Sequence, residues 1–125
     1  MAVFIRYQSP EPDRHGLHVG VFGLANQLGR GGRLSADEHR IWRNGNDWFN
    51  AAYPTPDARV YDRGINPGAV AWFKDTATHL LEQIPPYLEL LAAHGVACVR
   101  VESCDPGRVV YEDDVQIVVV PHRAG

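Results

Sequence analysis

Apolar residues recur at helical spacing in the second half of the chain and predict its longest helix. Successive members of one stripe lie mostly three or four positions apart, namely Ala77, Leu80, Leu81, Ile84, Leu88 and Leu91. Asp75 or Thr76 precedes the stripe and suits a helix cap, and His94-Gly95 is typical of a helix end. Because a proline inside a helix removes a backbone hydrogen bond and clashes with the preceding turn, Pro85-Pro86 predicts a kink.

A short helix is predicted upstream of a glycine-rich stretch in the first half. Its apolar positions recur three apart, at Phe22, Ala25 and Leu28. The glycines within residues 29–32 follow directly, and glycine is the residue that most often ends a helix. We therefore expect a helix that runs from Val19 to these glycines.

A second helix has a clear start and an uncertain middle. The run Ser35-Ala36-Asp37-Glu38 matches a capping box, in which the serine oxygen and the glutamate each satisfy an unpaired backbone N–H, so the helix should begin at Ala36. Asn44-Gly45-Asn46-Asp47 is a turn signal. We expect a weakened or interrupted helix that reaches about Tyr53.

Strand-like segments occupy both ends of the chain and predict an α+β fold. These segments are Ala2 to Gln8, Gly68 to Phe73, Val96 to Glu102 and the two arms of Pro106 to Pro121. The order of elements predicts a single domain over residues 1–125, with a small mixed or antiparallel sheet of about five strands, a long kinked helix and shorter N-terminal helices. Short connections predict that the last three strands are neighbours, while the placement of the first two stays open.

Composition narrows the classes of partner. The 125 residues carry a formal net charge of -3, so no positive excess favours general nucleic-acid binding. The apolar runs are short and the first residues lack a signal peptide, so we expect no membrane attachment and a cytoplasmic location.

Cys98 and Cys104 lie too far apart in an extended segment for a disulfide. No spacing typical of a zinc site occurs, which predicts no metal and leaves any cofactor unknown.

Three consecutive carboxylates, Glu112, Asp113 and Asp114, lie between two strand-like segments and predict a hairpin with an acidic tip. We favour a solvated turn that also protects a sheet edge. Two crowded carboxylates could instead form an acid and base pair or bind a hard cation, so Glu112 and Asp114 are candidate catalytic residues. Lys74 joins them, because it is the single lysine among twelve basic residues and an ammonium deprotonates more easily than a guanidinium.

A second candidate site is basic. Arg30, Gly31, Gly32 and Arg33 precede the helix that Ser35 caps. Unpaired amides and the dipole at a helix amino end favour an anion, and two guanidinium groups stand nearby, so a small phosphate-bearing ligand is a candidate occupant. The glycines also end the preceding helix, and neither a dinucleotide fingerprint nor a Walker lysine is present.

Large rings are numerous for a chain of this size. They are Trp42, Trp48, Phe49, Tyr53, Tyr61, Trp72 and Tyr111. We favour core filling, because rings at helical or strand spacing mostly bury area. Exposure of any of them would favour a binding surface instead.

The carboxyl-terminal half contains four short motifs, Trp72-Phe73-Lys74, His94-Gly95-Val96, Pro106-Gly107 and Tyr111-Glu112-Asp113-Asp114 followed by Gln116. Together they resemble a pattern in an uncharacterised family of small proteins from GC-rich bacteria. The resemblance implies one compact domain and carries no known activity.

Two functional classes remain. We favour a binding or regulatory module that holds a protein partner or a copy of itself through an aromatic surface and the acidic hairpin. In the alternative, the order of strand arginine, aromatic strand and late acid is similar to that of ADP-ribosyltransferases, which bind NAD. That resemblance implies that Arg6 holds a phosphate and that Trp72 or Tyr61 stacks on nicotinamide. It also implies that Glu112 or Asp114 steers the attacking group, although the chain lacks the family's Ser-Thr-Ser and Glu-x-Glu elements.

Overall fold

The structure is a computed structural model and describes residues 2–122. Its strands are β1 (Phe4–Gln8), β2 (Val70–Lys74), β3 (Val99–Ser103), β4 (Gly107–Glu112) and β5 (Gln116–Pro121). Its α-helices are α1 (Val21–Arg30), α2 (Ala36–Ala52), α3 (Thr78–Leu81) and α4 (Pro85–Ala93), and a 3-10 helix spans Ala58–Tyr61. The predicted α+β class is confirmed.

The five strands form one sheet in the order β3-β1-β2-β5-β4. The pairs β1 with β2, β2 with β5 and β5 with β4 are antiparallel, and Phe73 of β2 lies between Ile5 and Gln116. The predicted pairing of the last three strands is wrong for β3, which lies at the edge opposite β4. The short connection was a poor guide because β1 and β2, which are distant in sequence, lie between β3 and β5.

That short connection also shows that the sheet is curled. Ser103 ends β3 and Gly107 begins β4, and four peptide units reach at most ~15 Å. A flat five-stranded sheet would separate its edge strands by ~19 Å. The edges therefore approach each other at this end. Val101 of the edge strand β3 packs against a buried cluster of Trp72, Ile117 and Val119, as expected on the concave side of a curled sheet.

The helix α2 begins as predicted and continues where an interruption was expected. Ser35 and Glu38 form the capping box, and the helix runs without a break to Ala52. The turn signal at residues 44–47 was misleading because its residues serve tertiary packing. Asn46 hydrogen-bonds to two other side chains, and Gly45 lies directly against the ring of Tyr87.

The predicted kink is confirmed, and it lies between α3 and α4, where the N–H groups of Gln83 and Ile84 still hydrogen-bond to α3. Residues 82–84 separate α3 from α4, and the second helix starts at Pro85, where a missing N–H leaves no intrahelical bond unmade. His94 caps the end of α4, and Gly95 follows with φ of 69°. This left-handed conformation suits glycine because glycine has no Cβ.

The chain divides into two compact units. Among the described residues, the sheet unit comprises 2–6, 54–78 and 101–122, and the helical unit comprises 7–53 and 79–100. Buried apolar side chains occur in each, for example Ile117 and Val119 in the first and Leu80 and Leu91 in the second. Within residues 2–122, no helix combines the length and apolar character that crossing a bilayer requires. The expectation of a single domain over residues 1–125 stays a prediction.

Candidate functional site

The tip of the acidic hairpin is organised by one carboxylate, that of Asp113. Its Oδ1 accepts hydrogen bonds from the N–H groups of Val115 and Gln116 at 2.9 and 3.0 Å. Its Oδ2 accepts from the Tyr111 hydroxyl at 2.8 Å and from the side-chain amide of Gln116 at 3.0 Å. That amide also donates to the carbonyl of Pro54 at 2.8 Å. Both oxygens of Asp113 are therefore engaged in holding the turn.

The same contacts set the ionisation of Asp113. Partial burial acts to raise its pKa, but the hydrogen bonds from Val115, Gln116 and Tyr111 together outweigh burial and lower the pKa below its ordinary value of 3.8. A carboxylate with a depressed pKa stabilises the fold above its unfolded-state pKa, and this contribution is lost as the pH falls through the folded-state value. The hairpin network thus stabilises the protein at neutral pH and weakens below pH 3.8.

Two of the three candidate catalytic residues lie together in the sheet unit. Nζ of Lys74, at the end of β2, is 2.7 Å from Oε2 of Glu112, at the end of β4. The Lys74 side chain is 23% exposed and that of Glu112 is 56% exposed, so solvent screens their attraction. Asp114 is exposed at the tip and lies outside this pair.

The three candidate cofactor residues differ in exposure. Trp72 is 8% exposed and belongs to the core cluster of the sheet, so its ring is enclosed rather than open to stacking. Tyr61 is 42% exposed. Partial burial raises the pKa of Tyr61, and the positive charge of Arg6 acts to lower it. Of the two predicted stacking rings, Tyr61 is therefore partly exposed, whereas Trp72 is enclosed.

The glycines of the candidate anion site already hydrogen-bond within the chain. The N–H of Gly31 donates to a carbonyl of α1 at 3.0 Å, and that of Gly32 donates to another at 3.4 Å. Gly32 has φ of 68°, the left-handed conformation that follows many helix ends. Arg30 and Arg33 are exposed. The glycines therefore end α1, which is the alternative role that the sequence predicted for them.

The amino end of α2 also has an internal occupant. The Ser35 N–H donates to Oε1 of Glu38 at 2.9 Å, and the Ser35 hydroxyl accepts from the Glu38 N–H at 3.2 Å. Oε2 of the same carboxylate lies 2.9 Å from Nε2 of His94. The hydrogen bond from Ser35 is the largest influence on the pKa of Glu38, which lies below its ordinary value, and His94 lowers it further. A phosphate at this helix end would have to displace Glu38.

An apolar groove lies between α2 and α4 in the helical unit, with a volume of about 530 Å³. Its principal walls are Ile41, Trp42 and Trp48 on α2 and Pro86, Tyr87 and Leu90 on α4. Ile41 is 49% exposed and Trp48 is 38% exposed. The groove thus presents apolar side chains to solvent on a concave surface, and exposure of a large ring was the observation expected to favour a binding surface.

Partly buried hydrogen bonds fix two rings of the groove. Nε1 of Trp42 donates to Oδ1 of Asn26 at 2.9 Å, and the Asn46 amide donates to the same oxygen at 3.0 Å. The Tyr87 hydroxyl donates to Oδ1 of Asn46 at 2.7 Å. Burial raises the pKa of Tyr87 to about 12, so its hydroxyl keeps its proton at neutral pH. The two rings are therefore held in place before any ligand arrives.

Two glycines let these rings approach the helix backbones closely. A Cβ atom on Gly29 of α1 would lie 2.5 Å from the ring of Trp42, and one on Gly45 of α2 would lie 2.8 Å from the hydroxyl oxygen of Tyr87. Neither contact is tolerable without movement of the ring. The shape of the groove therefore depends on the absence of side chains at these positions.

Comparison with protein-family models, with curated proteins and with solved structures found no match to this chain. The resemblances to a bacterial family and to ADP-ribosyltransferases therefore stay predictions. The groove and the residues around it are the features of the molecule from which a function can be inferred.

Ile41, Tyr87 and Glu89 line the groove but were not predicted as site residues. A signal for α2 was present in the sequence. Trp42 and Phe49 are buried and lie seven residues apart, and Ile41 and Trp48 precede them by one position each. Such adjacent pairs make an apolar stripe wider than a single buried seam. No comparable signal marks Tyr87, which follows the two prolines.

Proposed function

We propose that this protein is a binding module and that the groove between α2 and α4 holds a small organic molecule with an apolar body. The observation that carries this proposal is the exposure of Ile41 and Trp48 on the wall of a concave apolar surface. Single apolar side chains on a surface are ordinary, whereas a concave surface lined by aromatic rings is typical of ligand sites.

Two properties of the groove favour a small molecule as the occupant. Its volume of about 530 Å³ falls within the range of ~300–1,000 Å³ that is typical of pockets for drug-sized ligands. The rings of Trp42 and Tyr87 are already fixed by hydrogen bonds, so binding requires little further ordering of side chains. The amides of Asn44 and Gln83 also line the groove and could orient a polar substituent.

The proposal is tested with 2-naphthylmethanol, a neutral probe with a rigid apolar body. We expect saturable changes in the NMR signals of the Trp42 and Trp48 indoles, which both line the groove, and a dissociation constant in the millimolar range or below. The Trp42 signal also reports binding in a variant that lacks Trp48. The estimate follows from about a dozen ligand atoms that contribute roughly 0.3 kcal/mol each. Replacement of Trp48 by alanine should abolish saturable binding.

Val99→Ala provides the control, because Val99 is an exposed apolar residue of the helical unit that lies outside the groove. It should bind the probe like the wild type. Val99→Ala truncates an exposed side chain and should change the free energy of unfolding by less than about 1 kcal/mol. The Trp48 ring is 38% exposed and packs against Phe49, so Trp48→Ala should destabilise the protein more, and circular dichroism checks that this variant is folded before binding is measured. Binding that survives Trp48→Ala would refute the proposal. A dimer in light scattering that Trp48→Ala dissociates would also refute it, because a second copy would then occupy the groove.

The remaining functional expectations stay predictions. A role for the acidic hairpin in binding a protein partner and a phosphate-bearing ligand near Arg33 belong to this group, as do a cytoplasmic location and a bacterial source. The ADP-ribosyltransferase-like alternative is supported only by the partial exposure of Tyr61, the ring expected to stack on nicotinamide. A titration with NAD that perturbs Tyr61, and that an Arg6→Gln variant weakens, would favour it over the groove proposal.

A further inference from the structure

The charged side chains that line the groove are both acidic. Glu38 lies toward the start of α2 and Glu89 lies on α4, and neither lysine nor arginine is among the lining residues of the part of the chain that the structure describes. The groove therefore combines aromatic walls with negative charge. An occupant with a complementary charge would carry a positive group.

The two carboxylates differ in how they are engaged. Glu38 already binds Ser35 and His94. Glu89 is exposed, and within residues 2–122 it makes no ion pair with another side chain. Of the two carboxylates, Glu89 can therefore bind a cation without breaking an ion pair within the chain.

The tryptophans of the groove are also suited to a cation. The face of an indole ring carries negative potential and attracts ammonium and guanidinium groups. The chain already uses this property, since the guanidinium carbon of Arg43 lies 5.3 Å from the centre of the Trp42 ring. That arginine also pairs with Asp47 at 3.5 Å, and it is not a lining residue of the groove.

We infer that the ligand of the groove is an organic cation, an amine or quaternary ammonium group on an apolar body, whose positive group lies at Glu89. This inference rests on the proposed function of the groove. The apolar body contacts Trp48 and Leu90 and provides most of the affinity through burial. The cationic group adds an attraction to Glu89 that a neutral or anionic analogue does not make.

A matched set of probes tests the inference. 2-Naphthylmethylamine, 2-naphthylmethanol and 2-naphthoate share one ring system and carry positive, zero and negative charge at neutral pH. We expect the amine to bind on the order of tenfold more tightly than the alcohol, from the combined effect of one exposed ion pair and a ring contact. The carboxylate should bind more weakly than either. Added salt should weaken the amine and leave the alcohol unchanged, because salt screens only the charged contact.

Glu89→Gln should reduce the preference for the amine by about three- to fivefold, the range expected for an exposed ion pair. Glu82→Gln is the matched control, because Glu82 is an exposed carboxylate near α4 that does not line the groove. It should leave the preference unchanged. Equal binding of amine and alcohol, or a preference that Glu89→Gln does not reduce, would overturn the inference while the proposed function stands. Failure of all three probes to bind would overturn the proposed function as well.

Discussion

The hairpin tip of the sheet unit and the groove of the helical unit differ in whether their most conspicuous side chains are engaged within the fold or remain exposed to solvent. At the tip, Asp113 has both carboxylate oxygens engaged by the turn that it forms. In the groove, Ile41 and Trp48 remain partly exposed on a concave surface whose rings are already fixed. A conspicuous run of charge therefore served folding, whereas apolar residues without a recognisable motif produced the better candidate site.

The difference follows from what each kind of group requires. A partly buried carboxylate needs hydrogen-bond donors, and a tight turn supplies them from its own backbone. An apolar side chain requires no hydrogen-bond partner and is stabilised by removal from water. It stays exposed where no other part of the chain covers it. Exposed apolar surface on a concave face is therefore more informative about binding than concentrated charge at a turn.

The largest expected effect concerns the tip. Asp113→Ala should destabilise the protein by about 2–3 kcal/mol, because the amide of Gln116 and the N–H groups of the turn lose an acceptor in a partly buried place. Urea denaturation followed by circular dichroism measures the change.

Asp114→Ala is the control at the neighbouring exposed carboxylate, and it should change stability by no more than about 0.5 kcal/mol. Equal losses from the two substitutions would show that the charge of the tip, rather than the contacts of Asp113, stabilises the hairpin. The contrast between tip and groove would then fail.

A smaller effect is expected where a glycine shapes the groove. In Gly29→Ala the new methyl group would lie 2.5 Å from the rigid ring of Trp42, and overpacking of this kind costs ~1–3 kcal/mol. A gain in helix propensity of ~1 kcal/mol offsets part of that cost. We expect net destabilisation of about 1 kcal/mol, measured by thermal and urea unfolding.

Gly23→Ala is the matched substitution in the same helix. There the nearest obstacle is a methyl group of Val19 at 2.9 Å, which can move more easily than a ring. This variant should be neutral or more stable than the wild type. A Gly29→Ala variant as stable as Gly23→Ala would mean that Trp42 has room to move and that the groove is not fixed in advance.

The smallest effect is expected for the ion pair of Lys74 and Glu112. Because both side chains are partly exposed, a double-mutant cycle with Lys74→Met and Glu112→Gln should give a coupling free energy of about 0.2–1 kcal/mol. High salt should reduce it further. Coupling well above this range would show that the pair is shielded from water, and it would favour the catalytic role predicted for these two residues.

Local patterns in the sequence predicted most of the elements but not all of their neighbours. The capping box at Ser35 and the kink at Pro85 depend on residues close in sequence, and both were predicted. The position of β3 depends on β1 and β2, which are distant in sequence and lie between β3 and β5. A local sequence pattern cannot predict such an arrangement. The continuity of α2 through Asn46 likewise depends on partners at Asn26 and Tyr87.

The candidate site was predictable only in part, for a similar reason. Lys74 and Glu112 were each singled out by residue type, and the structure brings them together. The groove instead depends on how two helices pack against each other. Tyr87 contacts Gly45 and Asn46, and the spacing of these residues in the sequence does not predict those contacts.

The carboxylate of Glu38 has a consequence for motion in the helical unit. One of its oxygens holds the first turn of α2 through Ser35, and the other holds His94 at the end of α4. Helix termini usually open locally at a low cost in free energy. Here the loosening of either terminus removes a hydrogen bond from the other, so the opening of the two termini should be coupled.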